Sequence, residues 1–503
     1  MIGSRIRSSR FWDVRLLAAV IATLAILLYL VGKPIPIVIW DEGRLVVSAM
    51  EMRHGGMGLV TTYDYHQDLW NTKPPLLIWL MTGSMAVFGP TEFALRLPSI
   101  ISALGTVLLV MLFLYRITSS AAIAAFGGIA LAASVGFFGE HGARTADYDA
   151  LLTFFTTSYL MLLFFTVHRS RPPLRLLLLA GLLGAGALMT KAMAGAVPGA
   201  GFLLYLSIMR RWPRVIKNVR YFLAALLALA PIALFLTLRE QADPGYLHAM
   251  IYNDVSGRFN EALDDHDGPP WYYVETTFVS GLFSLGIAGL LSPLALPIAK
   301  GRLRLAMLFS LCIAFGQLVV VTITSTKLIH YYLPAYPFVA IATSLGVHAM
   351  LVRFRIQAKS AKLPRYRLWI TNIVITSLLA LGVARAIHVD RTLLFEREHY
   401  PRARYGAFLD ALSSERAPIV VIEPGWSISD DPHYAPELRF YMMVAREHGR
   451  AVAQVGGLRE LSSAPPGAII ATCEPWIVPL LKAQVGTMVV ERAGCFAGRK
   501  GTQ

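Results

Sequence analysis

Charge is what this 503-residue chain has least of. Only 15% of its residues are charged, whereas 55% are hydrophobic. That ratio excludes an ordinary soluble domain and points to several membrane spans. Acids are the scarcer sign, 31 against 46 Lys and Arg, which leaves a formal net charge of +15. The basic residues lie in short clusters between apolar runs, a topogenic pattern, so no nucleic acid is expected as a partner. Cysteines number three, with Cys312 in an apolar run and Cys473 and Cys495 in the C-terminal tail. The tail has no Gly-rich phosphate loop, so no nucleotide is assigned to it, and the chain shows no internal repeat. No small-residue cleavage site follows the run that begins at Leu16 behind Arg5, Arg7, Arg10 and Arg15. The first span is therefore expected to stay as an anchor.

What the chain does have is apolar runs, at 16–38, 94–115, 121–139, 150–167, 174–190, 194–209, 221–238, 272–298, 304–323, 332–352 and 368–388. They imply a polytopic α-helical membrane protein of about eleven transmembrane helices. With a cytoplasmic N-terminus, the inside loops carry Arg116, then Arg169, Arg171 and Arg175, then Arg210 to Arg220, then Lys300 to Arg304. The last inside loop, 353–367, has six basic residues and no acid. The outside loops 41–92, 140–149 and 239–270 and the tail after Val389 hold nearly all the acids, as the positive-inside rule requires. The spans between Leu174 and Met209 are short for a hydrocarbon core of about 30 Å. They meet at Thr190-Lys191-Ala192, which fits helices ending early against a water-filled cavity.

Residues 1–388 thus read as a transmembrane module with a large outer loop at 39–93, and 389–503 as a small extracytoplasmic α/β domain. In the loop, Leu76–Phe88 is too short to span and is stopped by Gly89-Pro90. It reads as an interfacial helix flanked by Trp70 and Trp79, or as a packing helix without a ligand. In the tail, 419–422, 468–472 and 488–491 are strand candidates and 437–448 a helix. Cys473 and Cys495 either bridge two of those strands or remain thiols, because spacing alone does not decide.

The chemistry-bearing residues gather in the outer loops. Asp41-Glu42 closes the first span, and a carboxylate there serves as a general base or simply as a solvated helix end. Asp147 and Asp149 sit at the mouth of another span, where a helix N-cap, or for Asp147 a pair with Arg144, is the plainer role. Outer-face cations are few: Lys73, Arg96, Arg144, Lys191, Arg258, Lys327 and His330. A phosphate at the membrane surface would account for them, and pairing with outer acids accounts for Arg96. Lys327-Leu328-Ile329-His330-Tyr331-Tyr332 places Lys, His and two phenols where a lipid headgroup lies.

In order, Trp40-Asp41-Glu42, Lys73-Pro74-Pro75, Arg144 to Leu152, Thr190-Lys191, Arg258-Phe259, Pro270-Trp271-Tyr272-Tyr273, Ser325-Thr326-Lys327 and Tyr331-Tyr332-Leu333-Pro334 run over about the first 340 residues. This series resembles the superfamily of dolichyl-phosphate-mannose-protein mannosyltransferases and aminoarabinose-lipid A transferases. The resemblance implies a GT-C-like fold in the cell inner membrane. It implies inverting transfer of a sugar from a polyprenyl-phosphate donor to a lipid (lipid A or lipopolysaccharide), glycan or protein acceptor on the extracytoplasmic face. It assigns catalysis to Asp41 and Asp149, and places Glu42, Lys73, Asp147, Arg258, Lys327 and Tyr331 around the substrates. One position departs. Aminoarabinose transferases have Glu before the Lys-Pro, where it helps hold a metal, and here Thr72 stands there. A divalent metal ion is therefore left open, with Asp64, His66 and Asp68 a weak substitute set. The rival reading, a transporter or lipid flippase, calls for inverted repeats and charges at mid-membrane, and the chain offers neither.

Overall fold

Short polar residues set the boundary between two successive apolar helices. Thr91 caps the helix Glu92–Thr118 by accepting from the Ala94 amide, and Ser119, in the left-handed conformation, closes its other end. Ser120 then accepts from the Ile123 amide to start Ala121–Ala132, so the chain reverses within two residues. The computed structural model describes residues 36–37, 40–55, 58–262, 266–281, 292–360, 404–428 and 431–501, with isolated positions elsewhere. Six helices among the described residues are long and apolar enough to cross a membrane: Glu92–Thr118, Tyr148–Val167, Leu174–Gly195, Val219–Ala242, Gly301–Ile323 and Ile329–Phe354. The expected spans 16–38 and 368–388, and the middle of 272–298, lie largely outside the described residues.

Two runs form shorter helices than expected. The run 121–139 is a 12-residue helix followed by a separate turn at Val135–Phe138, and 194–209 is the ten-residue helix Gly199–Ile208. At 1.5 Å per residue the latter is about 15 Å long, half of a bilayer core. It packs on Gly301–Ile323 through an unusually close crossing. A Cβ on Gly201 would stand 2.3 Å from the Ile313 Cα, and one on Gly316 would stand 2.5 Å from the Gly201 backbone. Small residues let backbones approach in this way.

The loop helix Leu76–Phe88 forms at the expected bounds and buries Leu77, Ile78, Met81 and Met85, packing on Glu92–Thr118 and on the helix Asp41–Gly55. Asp41–Gly55 is buried along almost its whole length. Its second residue, Glu42, has no contact with water to speak of. Glu42 accepts from Arg96 Nε (2.7 Å) and Nη2 (2.8 Å) and from the Ala146 amide (2.8 Å). One buried carboxylate thus ties together the first loop, the Glu92–Thr118 helix and the second loop.

After residue 404 the chain builds a five-stranded sheet in the order β2-β1-β3-β5-β4, with β1 Ile419–Ile422, β2 Val452–Val455, β3 Ile469–Thr472, β4 Thr487–Arg492 and β5 Cys495–Arg499. β1 runs parallel to β2 and β3, and β5 is antiparallel to β3 and β4. Alternation sends Ile419, Val421, Ile469 and Ala471 to one core and Val420, Ile422 and Ile470 to the other, so the sheet is covered on both faces. Cys473 and Cys495, beside the paired strands β3 and β5, are disulfide-bonded. The helix Pro436–Glu447 packs against Asp41–Gly55. There Tyr441 Oη accepts from the Ile37 amide and bonds Glu92, and Glu447 pairs with Arg53 and His54.

Replacing Arg96 by Leu leaves Glu42 charged, buried and short of its partner. Its expected cost is about 3–5 kcal/mol, read as a lowered unfolding midpoint of the detergent-solubilised protein. Adding Glu42→Gln, which keeps an acceptor for Ala146 but removes the charge, should recover part of that loss.

Candidate active site

The helix ends converge on one cavity of about 580 Å³. Asp41 begins its helix, Asp149 lies in the first turn of Tyr148–Val167, and Lys191 is the last residue of Leu174–Lys191. Asp41, Lys73, Asp147, Asp149, Lys191, Arg258, His330 and Tyr331 all line the cavity, which continues between Leu160, Leu163, Phe202, Leu203, Val320 and Val321. It therefore has a charged part and an apolar part running between helices.

The acids in it are differently employed. Asp149 is buried, and both its oxygens accept from Lys191 Nζ, at 2.8 and 2.9 Å. It makes a buried ammonium tolerable and aims it. Asp147 occupies the N-cap position of Tyr148–Val167 without a side-chain cap. Its Oδ2 stands instead 2.8 Å from His141 Nδ1, while Asp41 Oδ2 is 3.8 Å from the same nitrogen. Burial works against charge on His141, but Asp147 beside it, with Asp41 and Asp149 beyond, pushes its pKa up to about 9. Opposite charge close by favours the protonated form. Asp41 itself is more than a third exposed in its side chain, open to whatever fills the cavity.

The cations form a second group. Arg258 hydrogen-bonds the Tyr331 hydroxyl, and Lys191 Nζ lies 5.9 Å from the Tyr331 ring. Lys73 rests its ammonium 5.4 Å from the Trp70 ring. Three fixed positive charges and a phenol at one end of an apolar cavity make a seat for an anion attached to a hydrocarbon chain.

Two expected substrate contacts are elsewhere. Glu42 does not line the cavity, because both oxygens are spent on Arg96 and the Ala146 amide. Lys327 turns its ammonium to the carbonyls of Thr322 and Thr324, at 3.0 and 2.5 Å, the end of the Gly301–Ile323 helix where free carbonyls attract a cation. The Asp64-His66-Asp68 set does not assemble either. Asp64 pairs with Arg439 and Asp68 with Arg44. At Thr72 the hydroxyl donates to Asp254 at 2.7 Å, so a hydrogen bond joins these two loops. Among the described residues, side chains whose donor atoms converge closely enough for a metal ion form two groups that share His141, one with Asp41 and Asp147 and one with Asp149 and His330.

Nothing in the sequence marks His141 separately, whereas Lys191 stands in it both as an outer-face cation and within the Thr190-Lys191 motif. A further signal lies in the backbone. Of the eight non-glycine residues with positive φ among the described residues, three abut the site. They are Trp40 (69°) before Asp41, His141 itself (58°) and Ala192 (38°) after Lys191. Such conformations persist where the surroundings impose them, and they cluster at functional sites.

Residues 72–237 match the family described as dolichyl-phosphate-mannose-protein mannosyltransferase. An undecaprenyl phosphate-alpha-4-amino-4-deoxy-L-arabinose arabinosyl transferase of Shewanella sediminis is 26% identical over 395 residues, covering 76% of this chain and 68% of the relative. A relative of the same description from Proteus mirabilis is 28% identical over 306 residues, covering 58% of this chain and 52% of its own length. Among solved structures, ArnT from Cupriavidus metallidurans bound to undecaprenyl phosphate superposes with a TM-score of 0.69 at 17% identity, covering 96% of this chain and 97% of that one. That likeness extends to the whole fold.

An amphiphilic phosphate such as dodecyl phosphate should raise the unfolding midpoint of the purified protein. Lys191→Met and Arg258→Ala should each weaken its binding about tenfold or more, the scale of a lost charged hydrogen bond, as read from concentration-dependent thermal shifts.

Proposed function

We propose that the chain is a glycosyltransferase of the GT-C superfamily and that it transfers a hexose or pentose from a polyprenyl-phosphate donor with inversion. The observation that carries this reading is the two-part cavity. Its apolar part suits a prenyl chain between helices, and its charged part suits the phosphate that links chain to sugar. The acceptor is a lipid such as lipid A or lipopolysaccharide, a glycan or a protein. The curated relatives named for an undecaprenyl-phosphate-linked aminoarabinose support a donor of this class.

In this mechanism Asp41 accepts the proton of the acceptor hydroxyl. The freed oxygen attacks the anomeric carbon on the face opposite the phosphate. The anomeric C–O bond to phosphate breaks, and its electron pair stays on the departing phosphate. Lys73, Lys191, Arg258 and the Tyr331 hydroxyl are fixed where that charge grows, which lowers the barrier without reorganisation during the reaction. Asp149 acts through Lys191, and Asp147 acts through His141 beside Asp41. Inversion follows from a single displacement.

We further read residues 1–388 as the transmembrane catalytic module and 389–503 as an outer domain. The N-terminus is then cytoplasmic, and the cavity and the domain face the extracytoplasmic side of the inner membrane. The clustered basic loops support this orientation. The transporter alternative draws no support from the cavity, whose charges stand at helix ends.

Membranes carrying Asp41→Asn should retain normal amounts of the protein but lose about 10²–10⁴-fold in sugar transfer from an undecaprenyl-phosphate-linked donor. Unchanged transfer would remove Asp41 from the base role. Anomeric couplings in the product's NMR spectrum should show the configuration opposite to that of the donor, and a retained configuration would rule out the single displacement.

A further inference from the structure

We propose that Trp40, Trp426 and Tyr434 form a platform for the acceptor, and that the part of the acceptor held there is an uncharged sugar ring of a glycan. The inference rests on the reading of Asp41 as the base, and adds to it a subsite outside the cavity lining.

The platform is built from both ends of the chain. Trp426 and Tyr434 stand opposite each other on an antiparallel two-stranded hairpin of the C-terminal unit, so their side chains share one face. The Trp40 ring lies 5.7 Å from each of them, tilted by 46° and 31°. Tyr434 is buried beneath, while Trp40 and Trp426 are 46% and 47% exposed. Two large rings left half in water side by side mark a binding surface more often than a structural one. Trp40 also holds a φ of 69°, a strained conformation for a bulky residue that persists only where the surroundings impose it.

Its position ties it to the base. Trp40 directly precedes Asp41 in the chain. Burial pushes the pKa of the Tyr434 hydroxyl up, and Asp41 is close enough to add to that rise. Towards the cavity the aromatic surface continues through the Arg44 guanidinium, 5.8 Å from the Tyr434 ring and 4.8 Å from the Trp70 ring. Trp70, also part exposed, lines the cavity beside Asp41 and Lys73.

The chemistry around the rings selects the occupant. The C–H-bearing face of a sugar ring is slightly positive and packs on the negative face of an aromatic ring. Its hydroxyls, at the rim, need acceptors, and the exposed carboxylates of Asp41 and Asp64 supply them. A phosphate is poorly served, because the arginines of the cluster are already answered. Arg44 gives Nε and Nη2 to Asp68, and Arg439 pairs with Asp64 and Asp431. The same acids oppose an anionic membrane surface. A neutral sugar lying on Trp40 and Trp426 reaches Asp41 with a hydroxyl, and the cationic end of the cavity stays free for the donor's phosphate.

Binding is read by saturation-transfer NMR on the full-length protein in detergent. The probe is the neutral oligosaccharide released from lipopolysaccharide by mild acid and freed of phosphate. The unaltered protein should bind it. Trp40→Ala and Trp426→Ala should each weaken binding about fivefold, the scale of a lost aromatic contact. Trp40→Phe and Trp426→Phe should restore most of the affinity, and Trp476→Ala, an exposed ring outside the cluster, should leave it unchanged. Unfolding midpoints show which variants are folded, and Trp426→Leu, with bulk but no π-face, replaces Trp426→Ala if that one is not. In transfer assays Trp426→Ala should raise KM for the acceptor and leave kcat and the donor KM as they were. No binding of the neutral oligosaccharide, binding only with its phosphates kept, or unchanged affinity in the folded Ala variants overturns the proposal. So does quenching by brominated phospholipid in nanodiscs that drops in Trp426→Phe, which would place the ring in the membrane surface. Ring-dependent binding by a protein that transfers no sugar counts against the reaction assigned to the cavity and not against the subsite. Transfer with unchanged binding in the variants counts against the subsite alone.

Discussion

The charged end of the cavity hangs on a carboxylate that does not line it. Glu42 lies one residue beyond Asp41, buried, bonded to Arg96 on one helix and to the Ala146 amide in the loop that carries Asp147. A buried ion pair is weak evidence of stability, since desolvation offsets much of the attraction. Its value here is geometric. Breaking it strands a charge, so the two loops cannot drift apart without a penalty of several kcal/mol, and Asp41 and Asp147 stay within reach of one imidazole.

A second layer of restraint comes from the C-terminal unit. Trp40, held at positive φ, has its ring 5.7 Å from both Trp426 and Tyr434. Arg439 pairs with Asp64 of the first loop and with Asp431. The helix that begins with Asp41 is therefore gripped by Pro436–Glu447 along its side and by aromatic rings at its start. A site built at the ends of helices is precise only if those ends are fixed, and water-facing loops alone do not fix them.

Much of this was legible in the sequence, and the remainder was hidden for identifiable reasons. Apolar runs with basic and acidic flanks mark the long helices, and β-branched runs mark the strands Ile419–Ile422, Ile469–Thr472 and Thr487–Arg492. The strands Val452–Val455 and Cys495–Arg499 have no such mark, because Ala453 and Gln454, and Cys495, Ala497 and Gly498, carry little strand propensity. Lys73, Arg258, Tyr331, Asp41 and Asp149 were found by motif and do meet in the cavity. Glu42 and Lys327 lie outside the cavity lining, because a charge beside a motif gives no sign in the sequence of the partner that holds it. The partners of Glu42, Arg96 and the Ala146 amide, are 54 and 104 residues away. The pairing of Asp149 with Lys191, and the placing of His141 between two acids, are likewise tertiary facts with no local signature.

The grip of residues 426–447 on the first loop also has a meaning in time. The lining of the cavity is drawn from positions 41 to 334, and the helix that presents Asp41 is braced by a segment that follows all of them in the chain. A ribosome therefore delivers every residue of the lining before it delivers the brace, so Asp41–Gly55 gains its last packing surface only after the other helix ends of the cavity have been made.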